Sequence, residues 1–324
     1  MVIVRLESLD RDIPKGNEYM SKLVAAIVVT YNRKELLREN IESLLAQTCR
    51  DILSIIVVDN ASTDGTKEYI AQYIDRGDVI YLNTGANVGG AGGFNFGMRY
   101  AAEHDYAFMW LMDDDCVPMP DALEVFVKWH NKLKGRYGFL SGKAIWTDGN
   151  ICKMNSHGID LVKRVEDYSK PVIKIVTATF VSFFIQTKVV KRIGLPIKEF
   201  FIWCDDIEYS RRASKIAPGY LITSSVAVHK CARNSGSNIA LDTPDRIERY
   251  NYAYRNEVYY FTHQGIKGMV YWFLRLGQHM LKVLLYADGY KLKRWGAIIK
   301  ATVKGFLFHP EVEYVRKKRN GADA

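Results

Sequence analysis

Cysteine is scarce and poorly placed for two common roles. The 324-residue chain holds five (Cys49, Cys116, Cys152, Cys204, Cys231), scattered, odd in number and never in a CxxC pair. That pattern argues against a disulfide framework and against a structural zinc site, and it fits a reducing compartment. Long apolar runs are missing too. No stretch reaches the ~18 unbroken apolar residues that a membrane-spanning helix needs, and no secretory leader is recognisable. Two nucleotide-binding fingerprints are also absent. There is no GxxxxGK[ST] loop, and the one glycine-rich segment departs from GxGxxG, with Asn95 where the third glycine should stand. A P-loop NTPase or a dinucleotide dehydrogenase is therefore poorly supported.

The chain has ample material for a globular core, at 48% hydrophobic and 25% charged residues. Its net charge of +9 is unevenly placed: residues 265–324 carry twelve Lys or Arg against four Asp or Glu. The same segment is rich in large apolar side chains such as Trp272, Phe273, Leu274, Leu281, Leu284 and Leu285, with Arg275, Gln278 and Lys282 forming a narrow polar stripe. A basic, broadly apolar helix points to an anionic membrane surface rather than to nucleic acid; packing in a core or an oligomer is the plainer alternative.

Residues 1–20 read as an N-terminal extension or an added edge strand, and Met20 is a candidate start. From residue 23 the pattern sharpens. Near-continuous apolar runs at 23–30, 52–58, 79–82 and 106–112 predict buried parallel strands. Helical spacing is found at 34–47, 66–74, 94–104 and 121–133. Alternating strands and helices imply an α/β fold: a mostly parallel, twisted sheet flanked by helices. The stretch 137–185 is strand-rich, 205–216 is a charged helix, 220–229 is a strand, and helices follow beyond about 233. This divides the chain into the extension, an α/β domain over 21–232 and a helical region over 233–324.

The most informative residues are Asp113, Asp114 and Asp115, three adjacent carboxylates at the end of an apolar strand. Like charges held side by side call for a reason. A hard divalent cation is one; a solvated acidic turn is the other. The first strand ends in Thr30-Tyr31-Asn32-Arg33 and the second in Asp59, followed by Asn60-Ala61-Ser62-Thr63-Asp64-Gly65. Both ends lie at the sheet edge where open α/β folds bind ligands. Asp59 is suited to accept from a base N–H, Thr30 and Asn32 to position a base or ribose, and Tyr31 to stack on it. Asn87-Val88-Gly89-Gly90-Ala91-Gly92-Gly93 reads as a loop that presents N–H groups, Asn87, Gly90 and Gly93 among them, to an anion before a helix. Trp203-Cys204-Asp205-Asp206 opens the charged helix. Asp205 suits a cap or an acceptor contact, Asp206 a general base, and Trp203 a stacking face for a sugar. His229 closes the last strand.

The ordered set AIVVTYNR, VVDNASTDGT, NVGGAGGFNFG, WLMDDD, FIWCDDIEYSRR and VAVHK resembles family 2 glycosyltransferases of the GT-A fold, over about residues 23–232. The glycine segment, the full DDD and the Trp-x-Asp-Asp-x-Glu helix look most like bacterial galactofuranosyltransferases and rhamnosyltransferases. The resemblance implies that Thr30, Asn32, Arg33 and Asp59 hold the nucleotide, with Asp113 and Asp114 also touching the donor. It further implies that Asp113, Asp115 and His229 bind Mn²⁺ or Mg²⁺, and that Asp206 is the catalytic base. Cys204 departs from the pattern, which runs Trp directly into the Asp pair. The expected enzyme is an inverting, metal-dependent hexosyltransferase of cell-surface polysaccharide synthesis. It would use UDP-galactofuranose, or alternatively dTDP-rhamnose, on a saccharide or lipid-linked saccharide. It would sit peripherally at the cytoplasmic face of the cell membrane. A metal-dependent nucleotidyltransferase and a non-enzymatic basic binding module are the readings from other classes.

Overall fold

The computed structural model describes residues 23–315; the expected N-terminal extension lies outside the described residues. The first half alternates strands and helices: β1 (Val24–Thr30), α1 (Lys34–Leu45), β2 (Leu53–Asp59), α2 (Thr66–Tyr69), α3 (Ala71–Asp75), β3 (Val79–Asn83), α4 (Gly89–Glu103) and β4 (Phe108–Asp113). β1 is buried along its whole length, which explains its unbroken VAAIVVT sequence. Its side chains alternate between two cores. Val24, Ala26 and Val28 meet Leu37 and Ile41 of α1 on one face; Ala25, Ile27 and Val29 meet Phe94 and Met98 of α4 on the other. The predicted single helix over 66–74 is broken at the fully buried Ile70.

The second half adds β5 (Cys116–Pro118), α5 (Ala122–Lys132), β6 (Phe139–Ile145), β7 (Val172–Ile175), β8 (Phe183–Gln186), α6 (Thr187–Ile193), α7 (Asp205–Ser214) and β9 (Gly219–His229). All nine strands join one sheet in the order β3-β2-β1-β4-β8-β6-β9-β5, with β7 sharing the outer edge of β9. Parallel pairing runs from β3 to β4. Beyond β4 the sheet is mixed: β8 is antiparallel to both β4 and β6, while β6 and β9 are parallel. Thr30 is in register with Asp59, and Val29 with Asp113. Three strand ends thus deliver their polar residues to one edge. β5 pairs Cys116 with His229, which brings the end of β9 beside Asp115.

The glycine segment is not a loop. α4 begins at Gly89, so Gly90, Gly92 and Gly93 lie inside its first turns. Close approach to the sheet explains them. A Cβ on Gly93 would stand 2.6 Å from Val29 Cγ1, and one on Gly97 2.5 Å from Ile27 Cγ2. At Gly89 (φ +73°) a Cβ would strike the Phe201 carbonyl. Helix propensity is given up so that α4 can lie flat on β1 and β2.

After β9 come α8 (Tyr250–Thr262), α9 (Gly265–Tyr286) and α10 (Lys291–Phe306). They form small cores of their own, which draw in Trp203, Cys204 and Ile207 from around the start of α7. The chain then returns to the α/β unit. Leu195 N donates to the Glu313 carbonyl (2.8 Å), and the Glu313 carboxylate accepts from Arg99 (2.7 Å) and Lys198 (2.6 Å).

Gly97 lies away from the strand ends, so Gly97→Ala isolates the α4 contact. Overpacking against Ile27 and Val58 is expected to cost about 1–3 kcal/mol of unfolding free energy; urea denaturation reads it, and an unchanged midpoint would show that α4 can lift off the sheet without cost.

Candidate active site

The three carboxylates at the end of β4 face different partners. Asp114 is buried and accepts from Thr30 Oγ1 (2.8 Å) and Arg33 Nη1 (3.3 Å). Asp115, also buried, accepts from the same Arg33 nitrogen at 2.9 Å. Its other oxygen, Oδ1, lies 3.1 Å from His229 Nε2 but out of hydrogen-bond alignment, so it is a buried oxygen without a hydrogen bond. Asp113 is half-buried and points to the same place: donor atoms of Asp113, Asp115 and His229 all lie within 4.8 Å of one another. Two carboxylates, one imidazole and an orphaned buried oxygen fit a hard divalent cation.

The electrostatics carry the same message. Burial, reinforced by the Asp115 charge, pushes Asp113 up to about 7. Burial likewise pushes Asp114 up to about 6 against the pull of Arg33. Asp115 is held below the usual carboxylate range: burial opposes its charge, but His229 and Arg33 outweigh that. Burial also opposes a charged His229, yet the close approach and charge of Asp115 hold its ring up at about 10. Without a cation, the cluster balances its charge with Arg33, an imidazolium and retained protons.

The residues expected to hold a nucleotide are largely engaged in building the site. Thr30 is buried and spends its hydroxyl on Asp114. Arg33 is tied to Asp114 and Asp115. Asn32, in left-handed geometry (φ 54°), staples the two strand-end loops, donating its N–H to Ser62 Oγ (2.9 Å) and accepting from Thr63 N (2.7 Å). Asp59 is buried and accepts from Ser62 N (2.8 Å) and from the Tyr81 hydroxyl (2.6 Å). Tyr31 stands exposed at the strand end. Asn87 Oδ1 accepts from Gly89 N (2.9 Å), closing the turn before α4. Gly90 has open space around its Cα, whereas Gly93 is buried against Val29.

The second acidic pair starts α7. Asp205 is buried; Asp206 keeps partial access to solvent. Burial, then the Asp206 charge, drives Asp205 well up, with a smaller contribution from Asp113. Burial raises Asp206 to about 6, opposed by the Ile207 N–H that its Oδ1 accepts at 2.7 Å. Burial thus works against two charges side by side, and it weighs more on Asp205 than on the more open Asp206.

The segment before the pair is strained. Phe201, Trp203 and Cys204 all have φ between +64° and +69°, which non-glycine residues avoid. One residue that the sequence reading missed over-determines it. Asn256 of α8 is fully buried, and its amide donates to the carbonyls of Phe200 (3.0 Å), Ile202 (3.2 Å) and Trp203 (2.9 Å). Its only signal in the sequence is an amide set among aromatic residues. Trp203 does not stand free as a sugar platform; its ring packs on Tyr250, with centroids 5.0 Å apart.

Residues 25–180 match the sequence model of glycosyl transferase family 2. They form a family 2 glycosyltransferase domain. Galactofuranosyltransferase GlfT1 of Mycolicibacterium smegmatis is 25% identical over 289 residues, covering 81% of this chain and 90% of the relative. GlfT1 of Mycobacterium tuberculosis is 39% identical over 99 residues, but this covers only 30% of this chain and 31% of the relative. The solved mannosyltransferase PcManGT of Pyrobaculum calidifontis, in complex with GDP-Man and Mn²⁺, superposes with a TM-score of 0.56 at 18% identity, covering 93% and 92% of the two chains. At that identity the likeness establishes the fold, which is GT-A. The glycosyltransferase thus presents an acidic cluster suited to a cation and, at the start of α7, a second pair of carboxylates.

Asn256 holds the backbone that leads into Asp205 and Asp206. Asn256→Ala is expected to lower kcat by at least about tenfold, because small displacements of a reacting group are costly. Donor affinity is expected to stay within about twofold. Equal losses in both would show that the residue supports the fold generally rather than the carboxylate pair.

Proposed function

We propose that this glycosyltransferase moves galactofuranose, with inversion, from its UDP-linked donor to a lipid-linked saccharide at the cytoplasmic face of the cell membrane. The observation that carries the reading is the Asp113–Asp115–His229 cluster at the strand ends, joined by a second carboxylate pair, Asp205–Asp206, at the start of α7. The donor sugar rests on the likeness to GlfT1, a galactofuranosyltransferase. Asp113, Asp115 and His229 would hold Mn²⁺ or Mg²⁺. Such a cation would offset the charge that gathers on the departing diphosphate. The nucleotide would lie over the ends of β1 and β2, with Tyr31 free to stack on the base and the staple made by Asn32 fixing the loops beneath. Asp206 removes the proton of the attacking hydroxyl, while burial disfavours a second charge on Asp205 beside it. The hydroxyl attacks the anomeric carbon from the face opposite the diphosphate, so one displacement inverts the centre, as in inverting glycosidases.

The membrane assignment rests on α9, which is inside out. Its polar Arg275 turns inward to Glu257 of α8 (3.0 Å), and His279 meets the Tyr254 hydroxyl (3.0 Å). Phe273, Leu274, Leu284 and Leu285 face outward, each at least half exposed. Leu292, Ile299 and Val303 of α10 extend the apolar surface, and Lys267, Lys293, Lys300 and Lys304 stand exposed around it. Among the described residues no helix is long and apolar enough to cross a membrane. An apolar face ringed by lysines suits the surface of an anionic leaflet.

Two experiments test these readings. In the first, sugar nucleotides are compared as donors with Mn²⁺ and with chelator. UDP-galactofuranose should be used only with the metal, and kcat/KM should rise with pH through about 6 as Asp206 loses its proton. Asp206→Asn should bind donor and transfer nothing; substantial turnover would remove Asp206 as base. Preference for dTDP-rhamnose would replace the donor and keep the mechanism, whereas pyrophosphate release would move the protein to nucleotidyl transfer. In the second, the wild type should sediment with phosphatidylglycerol vesicles, and Phe273→Glu/Leu274→Glu should stay in the supernatant with its circular dichroism unchanged. Continued sedimentation of that variant, or a wild type that instead pairs with a second copy in light scattering, would overturn the membrane surface.

A further inference from the structure

Two cysteines that are far apart in sequence meet behind the acidic cluster. Cys152 Sγ lies 3.6 Å from His229 Nδ1 and 3.8 Å from Cys231 Sγ, and donor atoms of the three residues fall within 4.8 Å of one another. Tetrahedral zinc with Zn–S of about 2.3 Å and Zn–N of about 2.05 Å requires S···S near ~3.8 Å and S···N near ~3.6 Å. Both measured edges have these lengths. Topology brings the residues together: β9 ends in His229 with Cys231 two residues on, and Cys152 is held alongside by its N–H to the Ala144 carbonyl of β6 (3.0 Å). Cys152 and His229 are buried, while Cys231 is partly exposed and gives a way in.

We propose that Cys152, Cys231 and His229 Nδ1 form a second metal site, one that takes a thiophilic cation such as Zn²⁺, and that its occupation opposes cation binding at Asp113 and Asp115. In the cation-free protein, Nδ1 donates to Asn155 Oδ1 (2.7 Å). Binding exchanges that N–H for a metal bond, and the two thiols enter as thiolates, so protons are released. The antagonism follows from the ring itself. A neutral imidazole has one lone pair. When Nδ1 is bound to zinc, the remaining proton sits on Nε2, 3.1 Å from Asp115 Oδ1, and His229 has no lone pair left for the hard cation. Soft thiolates and hard carboxylates select different ions, so one histidine arbitrates between them. The antagonism rests on the proposed use of Asp113, Asp115 and His229 as the donor's cation site; the cysteine pocket does not.

The probe is Co²⁺ added to metal-stripped protein kept reduced with a phosphine. Wild type should show a near-ultraviolet thiolate-to-cobalt charge-transfer band and the intense visible bands of a tetrahedral ion, both bleached by one equivalent of Zn²⁺. The isosteric changes Cys152→Ser and Cys231→Ser should each abolish the charge-transfer band, while Asp113→Asn keeps it. No thiolate band in the wild type, or a band that survives in the double serine variant, would overturn the site. Antagonism is read separately, by the electron paramagnetic resonance signal of free Mn²⁺. One equivalent of Zn²⁺ should weaken Mn²⁺ binding by about tenfold or more, the usual cost of disabling a ligand or its support, and should have no such effect in the double serine variant. Unchanged Mn²⁺ affinity in the wild type would overturn the coupling through His229, and failure of sugar transfer alone would leave the cobalt result standing.

Discussion

Crowding three carboxylates at the end of one buried strand is the constraint on which the rest depends. Burial and mutual repulsion both work against their charges, so the fold must bring compensating groups from elsewhere. It brings them from three directions: Thr30 from the end of β1, Arg33 from the start of α1, and His229 from the end of β9. Each depends on strand order. Thr30 reaches Asp114 because β1 lies beside β4, and His229 reaches Asp115 because β5 folds back on β9. The mixed half of the sheet is thus as necessary to the site as the parallel half that first suggests a nucleotide fold.

The same economy governs the opposite wall. The Asp205–Asp206 pair follows three residues in left-handed geometry, a conformation the segment would not hold alone. Support comes from α8 through Asn256, while the ring of Trp203 is wedged against Tyr250. α8 also packs on α9 and α10, the helices with the exposed apolar and lysine surface. The region that we read as meeting the lipid is therefore mechanically continuous with the region that we read as taking the acceptor proton.

Much of this was legible in the sequence where a pattern has a single physical meaning. Unbroken apolar runs at β1, β2 and β4 meant strands buried on both faces, and polar clusters at their ends meant one functional edge. Legibility failed where a residue type serves two purposes. Glycines 89–93 looked like a loop because glycine is a poor helix former, yet they are helical so that α4 can approach Val29 and Ile27. The polar stripe of α9 had no visible partner in the sequence, and Arg275 turns inward because Glu257 of α8 awaits it. Scattered cysteines argued against zinc because spacing rules see only neighbours in sequence, whereas the fold brings Cys152 and Cys231 within 3.8 Å of each other. Asn256 could not be recognised, since its partners are carbonyl oxygens, which no sequence displays.

That last choice of partner has an evolutionary side. Asn256 grips main chain, and every amino acid supplies the same carbonyl, so the grip sets no requirement on which side chains stand at 200, 202 and 203. Packing sets its own, since Phe200 is fully buried and Trp203 lies against Tyr250. Cys204, the residue that departs from the family pattern, follows directly on this gripped segment. What such an anchor conserves through substitution is the path of the chain into Asp205 and Asp206, whatever side chains decorate it.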